Sequence, residues 1–271
     1  MKNFNGKKAY IVGGSSGIGL AAAGLLAAQG ADVVIFARGR ERLEKALASI
    51  SATRMREDQR FSAKRLDVSR HEETFFVLSE TAAEFGPPDL LVNSAGRALP
   101  RRFEDVTYAQ FKETLEINLG GVWNAVAALL PHLKETGGHI VNVSSVAGFI
   151  GVFGYTDYCA SKFGVIGFSE ALRSELKPLG INVSVLCPPD TDTPGFEQEN
   201  RTKPEETRAV SGRVKLKTPE QVARAMLEGV RRNRFMIIPG FDARLTFIAK
   251  RLFPGLVSLV MDRTIRKARQ K

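Results

Sequence analysis

Short apolar runs alternate along the chain with longer segments whose apolar residues recur at every third or fourth position. The seven runs span residues 9–13, 31–37, 60–67, 89–93, 139–145, 181–186 and 234–240. The longer periodicity indicates amphipathic helices, whereas a short continuous apolar run indicates a strand that is covered on both faces. The pattern therefore predicts an α/β fold with a single doubly wound domain and a mostly parallel seven-stranded sheet, from residue 7 to about residue 240.

The composition is that of a folded globular domain, with 271 residues, of which 44% are hydrophobic and 25% charged. Two cysteines, Cys159 and Cys187, are too few to indicate a disulfide framework or a metal cage. We therefore expect a reducing, cytoplasmic compartment and no metal. No apolar run approaches the roughly 18 residues of a membrane span, and the first apolar stretch is too short for a signal peptide.

Basic residues exceed acidic residues by 39 to 29, which gives a net charge of +10. Residues 244–271 hold eight basic side chains and a single acid, Asp262. Such a segment is typical of a solvated face or a terminal arm. The sequence has neither zinc-finger spacing nor a basic stripe interleaved with aromatic residues, so we expect no nucleic-acid partner.

Residues 13–19 read GGSSGIG and lie between the first predicted strand and an apolar helix. A helix N-terminus offers free N–H groups and a positive dipole end, and glycines let a pyrophosphate approach the backbone. In this position the turn is typical of a dinucleotide-binding Rossmann domain. The cofactor contacts predicted in the turn are Gly13, Ser15, Ser16, Gly17, Ile18 and Gly19.

The same turn also fits the G-x-S-x-G pattern of the α/β-hydrolase nucleophile elbow, with Ser15 as the nucleophile. In that fold the elbow follows several strands, whereas here it follows the first. A triad also requires a histidine after an acid, and none of the three histidines, His71, His132 and His139, is on a late loop. The dinucleotide site is therefore favoured, and a serine hydrolase is the remote alternative.

The second predicted strand ends at Arg38, and no acid occurs between Asp32 and Glu41. NAD-binding folds place an acid at this point to hold the ribose hydroxyls, so Arg38 favours the 2′-phosphate of NADPH instead. Arg42 is a second predicted contact, whereas Arg40 more simply begins a solvated helix. A charge-assisted hydrogen bond of roughly 1.5–3 kcal/mol corresponds to about a ten- to hundredfold preference for NADPH over NADH.

Tyr158 and Lys162 are four residues apart at the start of a helical segment, so their side chains share one face. A cation about 4 Å from a phenol stabilises the phenolate by roughly 4 kcal/mol, which would make Tyr158 a usable acid or base near neutral pH. Ser145 ends the preceding strand, at the edge where ligands bind. We expect Ser145 to hold the substrate oxygen while Tyr158 exchanges its proton. The neighbouring Ser144 would face the other way.

Together and in order, these motifs resemble the short-chain dehydrogenase/reductase family over nearly the whole chain. The resemblance assigns the catalytic roles to Asn118, Ser145, Tyr158 and Lys162, and it implies that Asn118 supports a water that links Lys162 to solvent. It also implies cofactor contacts at Asp67, Val68, Asn93, Ala95, Gly96, Tyr158, Lys162, Pro188 and Thr193. Gly13 and Ser94 depart from the family's usual Thr and Asn, and we expect weaker hydrogen bonding between the strands there.

A narrower similarity covers residues 187–207, which resemble the 3-ketodihydrosphingosine reductases. This similarity implies NADPH-dependent reduction of the 3-keto group of a long-chain ketosphinganine. Another hydrophobic ketone or alcohol, such as a steroid or an acyl chain, is the alternative, and a binding protein that only retains the fold is a third. The family resemblance implies a homo-oligomer, either a dimer or a tetramer. The polar stretch 190–218 is expected to be a mobile substrate loop.

Residues 241–271 are predicted to form a basic amphipathic extension to a catalytic domain of residues 1–240. Apolar residues recur at helical spacing from Phe241 to Leu252, and Pro254 with Gly255 should divide the segment into two helices. The surrounding basic residues give it the composition of a helix that lies in a membrane interface. We expect peripheral membrane contact through this extension. Packing on the domain or on a partner subunit is the alternative.

Overall fold

The computed structural model describes residues 1–211 and 216–270, so residues 212–215 of the expected loop and Lys271 of the expected extension lie outside the described residues. Seven strands form one sheet in the order β3-β2-β1-β4-β5-β6-β7, and all neighbouring strands are parallel. The strands are β1 Lys8–Val12, β2 Asp32–Ala37, β3 Phe61–Arg65, β4 Leu90–Asn93, β5 His139–Val143, β6 Asn182–Leu186 and β7 Met236–Ile237. The predicted doubly wound sheet is confirmed, and each predicted run overlaps one strand.

Helices connect the strands and cover both faces of the sheet. The first six are α1 Gly17–Ala27, α2 Arg40–Ser51, α3 His71–Phe85, α4 Tyr108–Leu115, α5 Gly121–Thr136 and α6 Thr156–Leu176. The later ones, within the described residues, are α7 Pro194–Thr202, α8 Glu205–Ser211, α9 Pro219–Arg231, α10 Phe241–Leu252 and α11 Pro254–Arg269.

Each face of the sheet has its own hydrophobic core, because consecutive strand residues point in opposite directions. On one face Ile11 shares a core with Leu26 of α1 and Met226 of α9. On the other face Tyr10 shares a core with Leu129 of α5. Strands buried on both faces need apolar residues at every position, which explains the continuous hydrophobic runs in the sequence.

The direction of strand addition reverses between β1 and β4 at the centre of the sheet. β1 to β3 extend it toward one edge, and β4 to β7 extend it toward the other. Val12 at the end of β1 is in register with Phe36 of β2 and Asn93 of β4, so these strands end level with one another. Doubly wound sheets bind ligands beyond the carboxyl ends of the strands at such a reversal.

The stretch 190–218 contains α7 and α8, so the prediction of a loop is wrong for residues 194–202 and 205–211. Thr193 caps α7, because its hydroxyl accepts a hydrogen bond from the backbone N–H of Phe196 at 3.1 Å, and Pro194 occupies the first turn. Both are helix start signals. The glutamates and glutamine that make the stretch polar are also good helix formers. These residues explain why the chain forms helices after β6.

The C-terminal helices α10 and α11 are divided at Phe253 and Pro254, as the sequence predicted. Ala243 of α10 is buried in a small core with Val185 and Ile238, and α11 lies against α8. Part of the extension thus packs on the domain, which was the alternative to membrane contact. Among the described residues, no helix is long and apolar enough to cross a membrane.

Candidate active site

A cleft of about 570 Å³ lies beyond the carboxyl ends of the central strands, and α7, α8, α10 and α11 continue its wall. Most of the predicted site residues line it: Gly13, Ser15, Ser16, Gly17, Ile18, Arg38, Arg42, Asp67, Val68, Ala95, Gly96, Ser145, Tyr158, Lys162, Pro188 and Thr193. We call the part around the glycine turn and the end of β2 the glycine end. The part around Tyr158 and α7 is the tyrosine end.

Close backbone contacts shape the glycine turn. Gly13 has a φ of +82°, and a Cβ there would lie 2.5 Å from the backbone nitrogen of Ala95. A Cβ at Gly19 would lie 2.3 Å from the carbonyl oxygen of Gly13. Gly19 itself does not line the cleft but lets α1 pack against the turn. Because these positions have no room for a side chain, the backbone itself forms the wall in front of the N-terminus of α1, which fits a pyrophosphate.

Asn93 lies behind the cleft and does not line it. Its side chain is buried, and its Nδ2 donates a hydrogen bond to Oδ1 of Asn142 at 2.9 Å, which links β4 to β5. The next residue, Ser94, lines the cleft. The backbone N–H groups of Gly13 and Ser94 each donate a hydrogen bond of 2.8 Å to the neighbouring strand. The backbone pairing of the strands is therefore complete at both departures, and the expected weakening of hydrogen bonding there stays a prediction.

Ser15 lines the cleft without a histidine beside it. His139 is buried at the opposite edge of the sheet, where its ring is hydrogen bonded with Ser184 at 2.8 Å. The ring of His71 is hydrogen bonded with Asn124. Among the described residues, no histidine lines the cleft that could activate Ser15. The serine hydrolase alternative is therefore unsupported.

The end of β2 presents cationic side chains to the cleft. Arg38 and Arg42 line it, whereas Arg40 lies 3.7 Å from Glu44 on the outer side of α2. Neither Arg38 nor Arg42 forms an ion pair within residues 1–211 and 216–270. Asp67, at the end of β3, lines the same region. Two guanidinium groups without acidic partners thus face the part of the cleft where the ribose of a dinucleotide would lie.

Tyr158, Lys162 and Ser145 converge where β5 meets α6. The Nζ atom of Lys162 lies 5.6 Å from the ring centroid of Tyr158 and donates a hydrogen bond to the carbonyl oxygen of Val143 at 2.9 Å. The hydroxyl of Ser144 is buried and donates a hydrogen bond to the carbonyl oxygen of Lys162 at 2.9 Å. The side chain of Ser144 is thus bonded to α6, and Ser145 is the hydroxyl available beside Tyr158.

The buried carboxylate of Asp157 fixes the first turn of α6. It accepts hydrogen bonds from the hydroxyl of Thr114 at 2.8 Å and from the amide of Gln110 at 3.1 Å, both on α4. It also accepts a hydrogen bond from the backbone N–H of Tyr158 at 2.8 Å. The position of Tyr158 is therefore set by a neighbouring helix as well as by its own.

Asn118 lies one layer behind the cleft, in a short π-helical segment between α4 and α5. Its buried side chain exchanges two hydrogen bonds with the backbone of Arg97, at 2.8 and 2.9 Å. A Cβ at Gly96 would lie 3.2 Å from Oδ1 of Asn118 and 3.4 Å from Nζ of Lys162. The two side chains therefore flank the same small space, which a glycine at position 96 leaves open.

Burial decides the protonation states at the tyrosine end. It raises the pKa of Tyr158 above its ordinary value, the carboxylate of Glu199 raises it further, and the hydroxyl of Ser145 lowers it. Burial also lowers the pKa of Lys162 to about 8. Burial is the largest cause of the pKa shift of Tyr158, and the Nζ atom of Lys162 lies 5.6 Å from the ring centroid, so a lowering of the Tyr158 pKa by Lys162 stays a prediction. A phenol that stays protonated at neutral pH suits a proton donor.

Other residues at the tyrosine end were not singled out from the sequence. The ring centroid of Tyr155 lies 5.6 Å from that of Tyr158, and its hydroxyl donates a hydrogen bond to Oε1 of Glu199. Nζ of Lys203 lies 3.2 Å from the same oxygen. The spacing of Glu199 and Lys203, four residues apart, is the one local signal that could have paired them. The apolar wall here is formed by Val146, Ile150, Val152, Phe196, Val210 and Met261.

Comparison with known proteins gives a consistent result. Residues 7–204 match the family described as short chain dehydrogenase. The chain is 38% identical over 239 residues to a 3-ketodihydrosphingosine reductase from Bos taurus, which covers 88% of this chain and 72% of that protein. It is 39% identical over 233 residues to a 3-dehydrosphinganine reductase from Danio rerio, covering 85% and 70%. A short chain dehydrogenase/reductase from Burkholderia phymatum, solved in complex with NAD, has a TM-score of 0.82 at 25% identity, covering 94% and 96%.

The chain therefore belongs to the short chain dehydrogenase family, and the resemblance found in the sequence is confirmed. It is an oxidoreductase that acts on a carbon–oxygen group with a nicotinamide cofactor. The glycine end fits such a cofactor because its backbone wall leaves room for the pyrophosphate. The tyrosine end fits the reaction because a hydroxyl and a phenol lie side by side.

Proposed function

We propose that this chain reduces the 3-keto group of a long-chain ketosphinganine with NADPH to give dihydrosphingosine. One observation carries the proposal: Tyr158 and Ser145 open onto an apolar wall to which α7, α8 and α11 contribute. The reacting oxygen and an aliphatic chain thus have separate places in one cleft. The names of the relatives, 3-ketodihydrosphingosine reductase and 3-dehydrosphinganine reductase, support this choice of ketone.

In the proposed reaction, Ser145 donates a hydrogen bond to the ketone oxygen, and Tyr158 transfers its proton to that oxygen. The nicotinamide cofactor, when bound, supplies the hydride that the carbonyl carbon accepts. The raised pKa of Tyr158 keeps the phenol protonated until negative charge develops on the oxygen. Lys162 and Asn118, which meet at Gly96, then return a proton from solvent to Tyr158.

The choice of NADPH rests on Arg38 and Arg42. Both face the cleft at the end of β2, and no acidic side chain occupies the position after that strand. A guanidinium group binds a phosphate through parallel charge-assisted hydrogen bonds. The 2′-phosphate is the group that NADPH has and NADH lacks, so these side chains favour NADPH.

An assay with purified full-length protein tests the function. NADPH fluorescence is followed with a long-chain ketosphinganine, a steroid ketone and a 3-ketoacyl thioester, each over a range of concentrations. We expect the highest kcat/KM for the ketosphinganine. A higher value for the steroid or the thioester would assign the enzyme to another hydrophobic ketone. Binding of NADPH without turnover of any ketone would indicate a binding protein that retains the fold.

We also propose that this is a cytoplasmic enzyme whose C-terminal helices rest reversibly on a membrane surface. α10 exposes an apolar ridge that contains Phe241, Leu245, Ile248 and Leu252. The side chain of Phe241 is 77% exposed and that of Leu252 is 64% exposed. Thr246 of the same helix lines the cleft, so the ridge borders the tyrosine end. Basic residues occupy the last turns of α10 and α11. Each such charge near an anionic leaflet contributes about 1 kcal/mol.

Vesicle co-sedimentation tests this attachment. We expect the full-length protein to bind vesicles that contain phosphatidylserine and to be released by salt. The double variant Leu245→Glu, Leu252→Glu should stay in the supernatant. Phe76→Glu, at an exposed residue of α3, is the matched control and should still bind. If the unsubstituted protein stays in the supernatant at low salt, the C-terminal helices serve only for packing.

We further propose a homodimer or homotetramer that forms through α4 and α5. These helices expose Tyr108, Phe111 and Trp123, and aromatic residues are enriched at the centres of protein interfaces. Light scattering of Trp123→Glu should show a lower mass than that of the unsubstituted protein. Phe76→Glu again serves as the control and should leave the mass unchanged. A monomeric unsubstituted protein would contradict the proposal.

A further inference from the structure

Glu199 presents a carboxylate oxygen to the tyrosine end of the cleft. Its Oε1 accepts a hydrogen bond from the hydroxyl of Tyr155 and lies 3.2 Å from Nζ of Lys203. Within the described part of the chain, its Oε2 has no hydrogen-bond partner, although the residue lines the cleft. Two contacts therefore hold one oxygen in place and leave the other for a ligand.

The surroundings of Glu199 fix its position. Tyr155 is buried and packs its ring 5.6 Å from the ring of Tyr158. Lys203 is also buried, with its ammonium group 4.5 Å from the centroid of the Phe196 ring. Both partners of Glu199 are thus buried and packed against aromatic rings, and one of them borders the residue that donates the proton. A ligand group bound by Glu199 would lie close to the reacting carbon.

The tyrosine end has more negative than positive charge. Asp190 lines the cleft beside Glu199, and its side chain makes no hydrogen bond or ion pair with a described residue. Burial raises the pKa of Asp190, the nearby ammonium group of Lys203 lowers it and the carboxylate of Glu199 raises it. Among the described residues, the carboxylates here are those of Asp190, Glu199 and Asp242, and the ammonium groups are those of Lys162 and Lys203. Arg97 is paired with Glu113, so one negative charge is left for a cationic ligand to compensate.

We propose that Glu199 binds the protonated amine of the substrate and so makes the enzyme selective for 2-amino ketones. This inference rests on the proposed function, because a ketosphinganine carries its amine on the carbon next to the ketone. With the ketone oxygen between Ser145 and Tyr158, the amine lies one carbon away from the reacting centre. A carboxylate is the natural partner for an ammonium group in a partly desolvated cleft.

Two ketones of equal chain length test the inference, a ketosphinganine and its analogue that lacks only the amine. The readout is the ratio of their kcat/KM values with NADPH and full-length enzyme. We expect the unsubstituted enzyme to prefer the amino ketone by more than about tenfold, as for a charge-assisted hydrogen bond. Glu199→Gln keeps the size of the side chain and removes its charge. It should lower the preference about ten- to hundredfold.

Glu197→Gln is the matched control, because Glu197 lies on the same helix but is exposed and does not line the cleft. It should keep the preference of the unsubstituted enzyme. Asp190→Asn is the second variant and should lower the preference less than Glu199→Gln, because Asp190 only adds to the local charge. A cofactor-fluorescence titration of each variant shows whether the glycine end is still folded.

The possible failures are distinct. If the unsubstituted enzyme reduces the two ketones equally well, the amine site is overturned and the proposed function stands; this result needs no variant. An equal loss of activity on both ketones in Glu199→Gln would assign the residue a structural role and overturn the site as well. If neither ketone is reduced, the proposed function fails, and the amine site fails with it.

Discussion

The two ends of the cleft differ in construction and in charge. Backbone atoms of the turn from Gly13 to Gly19 form much of the glycine end. The charged side chains of Arg38 and Arg42 also line this end. The tyrosine end is built from side chains of α6, α7, α8, α10 and α11, and its carboxylates are Asp190, Glu199 and Asp242. One end therefore suits an anionic ligand and the other a cationic one.

This contrast shows how one fold serves many substrates. A site made of backbone atoms depends on a short local pattern, so it recognises the pyrophosphate that all dinucleotides share. A site made of side chains from distant helices can change one residue at a time without disturbing the sheet. Specificity for the ketone should therefore lie in α7 to α11, while the glycine turn and the end of β2, in the first half of the chain, hold the pyrophosphate and the ribose end of the cofactor.

The largest effect is expected from Tyr158→Phe. The phenol is the proton donor, and loss of a general acid typically lowers the rate by roughly 10²–10⁴-fold. Cofactor affinity, measured by fluorescence titration, should change little because the glycine end is untouched. This variant therefore separates the two ends most clearly.

Ser15→Ala is the opposite control, at the glycine end. It should weaken cofactor binding and leave substantial turnover at saturating cofactor, since Ser15 lines the cleft in the glycine turn and not beside Tyr158. Near-normal turnover by Tyr158→Phe would refute the mechanism. Complete loss of activity in Ser15→Ala would give that serine a chemical role that the structure does not support.

The second effect is a change of cofactor preference in Arg38→Asp. The unsubstituted enzyme should prefer NADPH over NADH by about ten- to hundredfold in kcat/KM. An aspartate at the end of β2 would repel the 2′-phosphate and accept the ribose hydroxyls of NADH, so the preference should disappear. Arg40→Asp is the matched control, because Arg40 does not line the cleft. Equal kcat/KM values for the two cofactors in the unsubstituted enzyme would contradict this assignment.

The glycine end could be predicted from the sequence because its determinants are local. The turn and the end of β2 each lie within a few residues of a strand that hydrophobicity alone identifies. The set of Ser145, Tyr158 and Lys162 was also predictable, since a strand followed by a helix brings the three to one edge of the sheet. The seven-stranded sheet followed from the apolar runs for the same reason.

The tyrosine end could not be predicted in the same way. Glu199 meets Tyr155 across 44 positions of sequence, and no periodic pattern encodes that contact. The pKa of Tyr158 depends on its burial, which a pair of residues at helical spacing does not reveal. Beside the glycine turn, the hydrogen bond that joins the side chain of Asn93 to Asn142 likewise spans 49 positions of sequence. These features depend on how distant segments pack.

A third prediction concerns the edge of the sheet opposite the cleft, where His139 begins β5. Burial lowers the pKa of His139 to about 4 from an ordinary value of 6.5. Between these values the unfolded chain binds a proton that the folded protein excludes, so the free energy of unfolding should fall as the pH is lowered. The expected slope is up to about 1.4 kcal/mol per pH unit below pH 6.5.

Urea unfolding at a series of pH values measures this slope. In His139→Gln, the free energy of unfolding should change less with pH than in the unsubstituted protein, because the side chain no longer titrates. His132→Gln, at a partly exposed histidine of α5, is the matched control and should keep the steeper slope. Identical slopes in all three proteins would show that His139 does not control acid stability.

The smallest effect is expected from Arg269→Ala, which tests whether α11 belongs to the tyrosine end. Arg269 and Arg102 both contact Oε1 of the buried Glu206, at 3.1 and 2.9 Å, and this pairing ties α11 to α8. Arg269 is 59% exposed and Arg102 remains, so removing the Arg269–Glu206 ion pair should cost about 0.5–1 kcal/mol of the interaction between α11 and α8. This free energy corresponds to a roughly two- to fivefold change in an equilibrium constant. Since α11 brings Met261 to the cleft, the loss should raise the KM for the ketone and leave the KM for NADPH unchanged.

Arg266→Ala, an exposed residue of the same helix with no ion pair to a described residue, provides the control and should leave both KM values unchanged. Hydrogen exchange of α11 should rise in Arg269→Ala alone, because only that variant loosens the helix. An increase in the KM for NADPH equal to that for the ketone would mean that α11 stabilises the whole cleft. The glycine end and the tyrosine end would then not be independent, because the C-terminal helices would stabilise both of them.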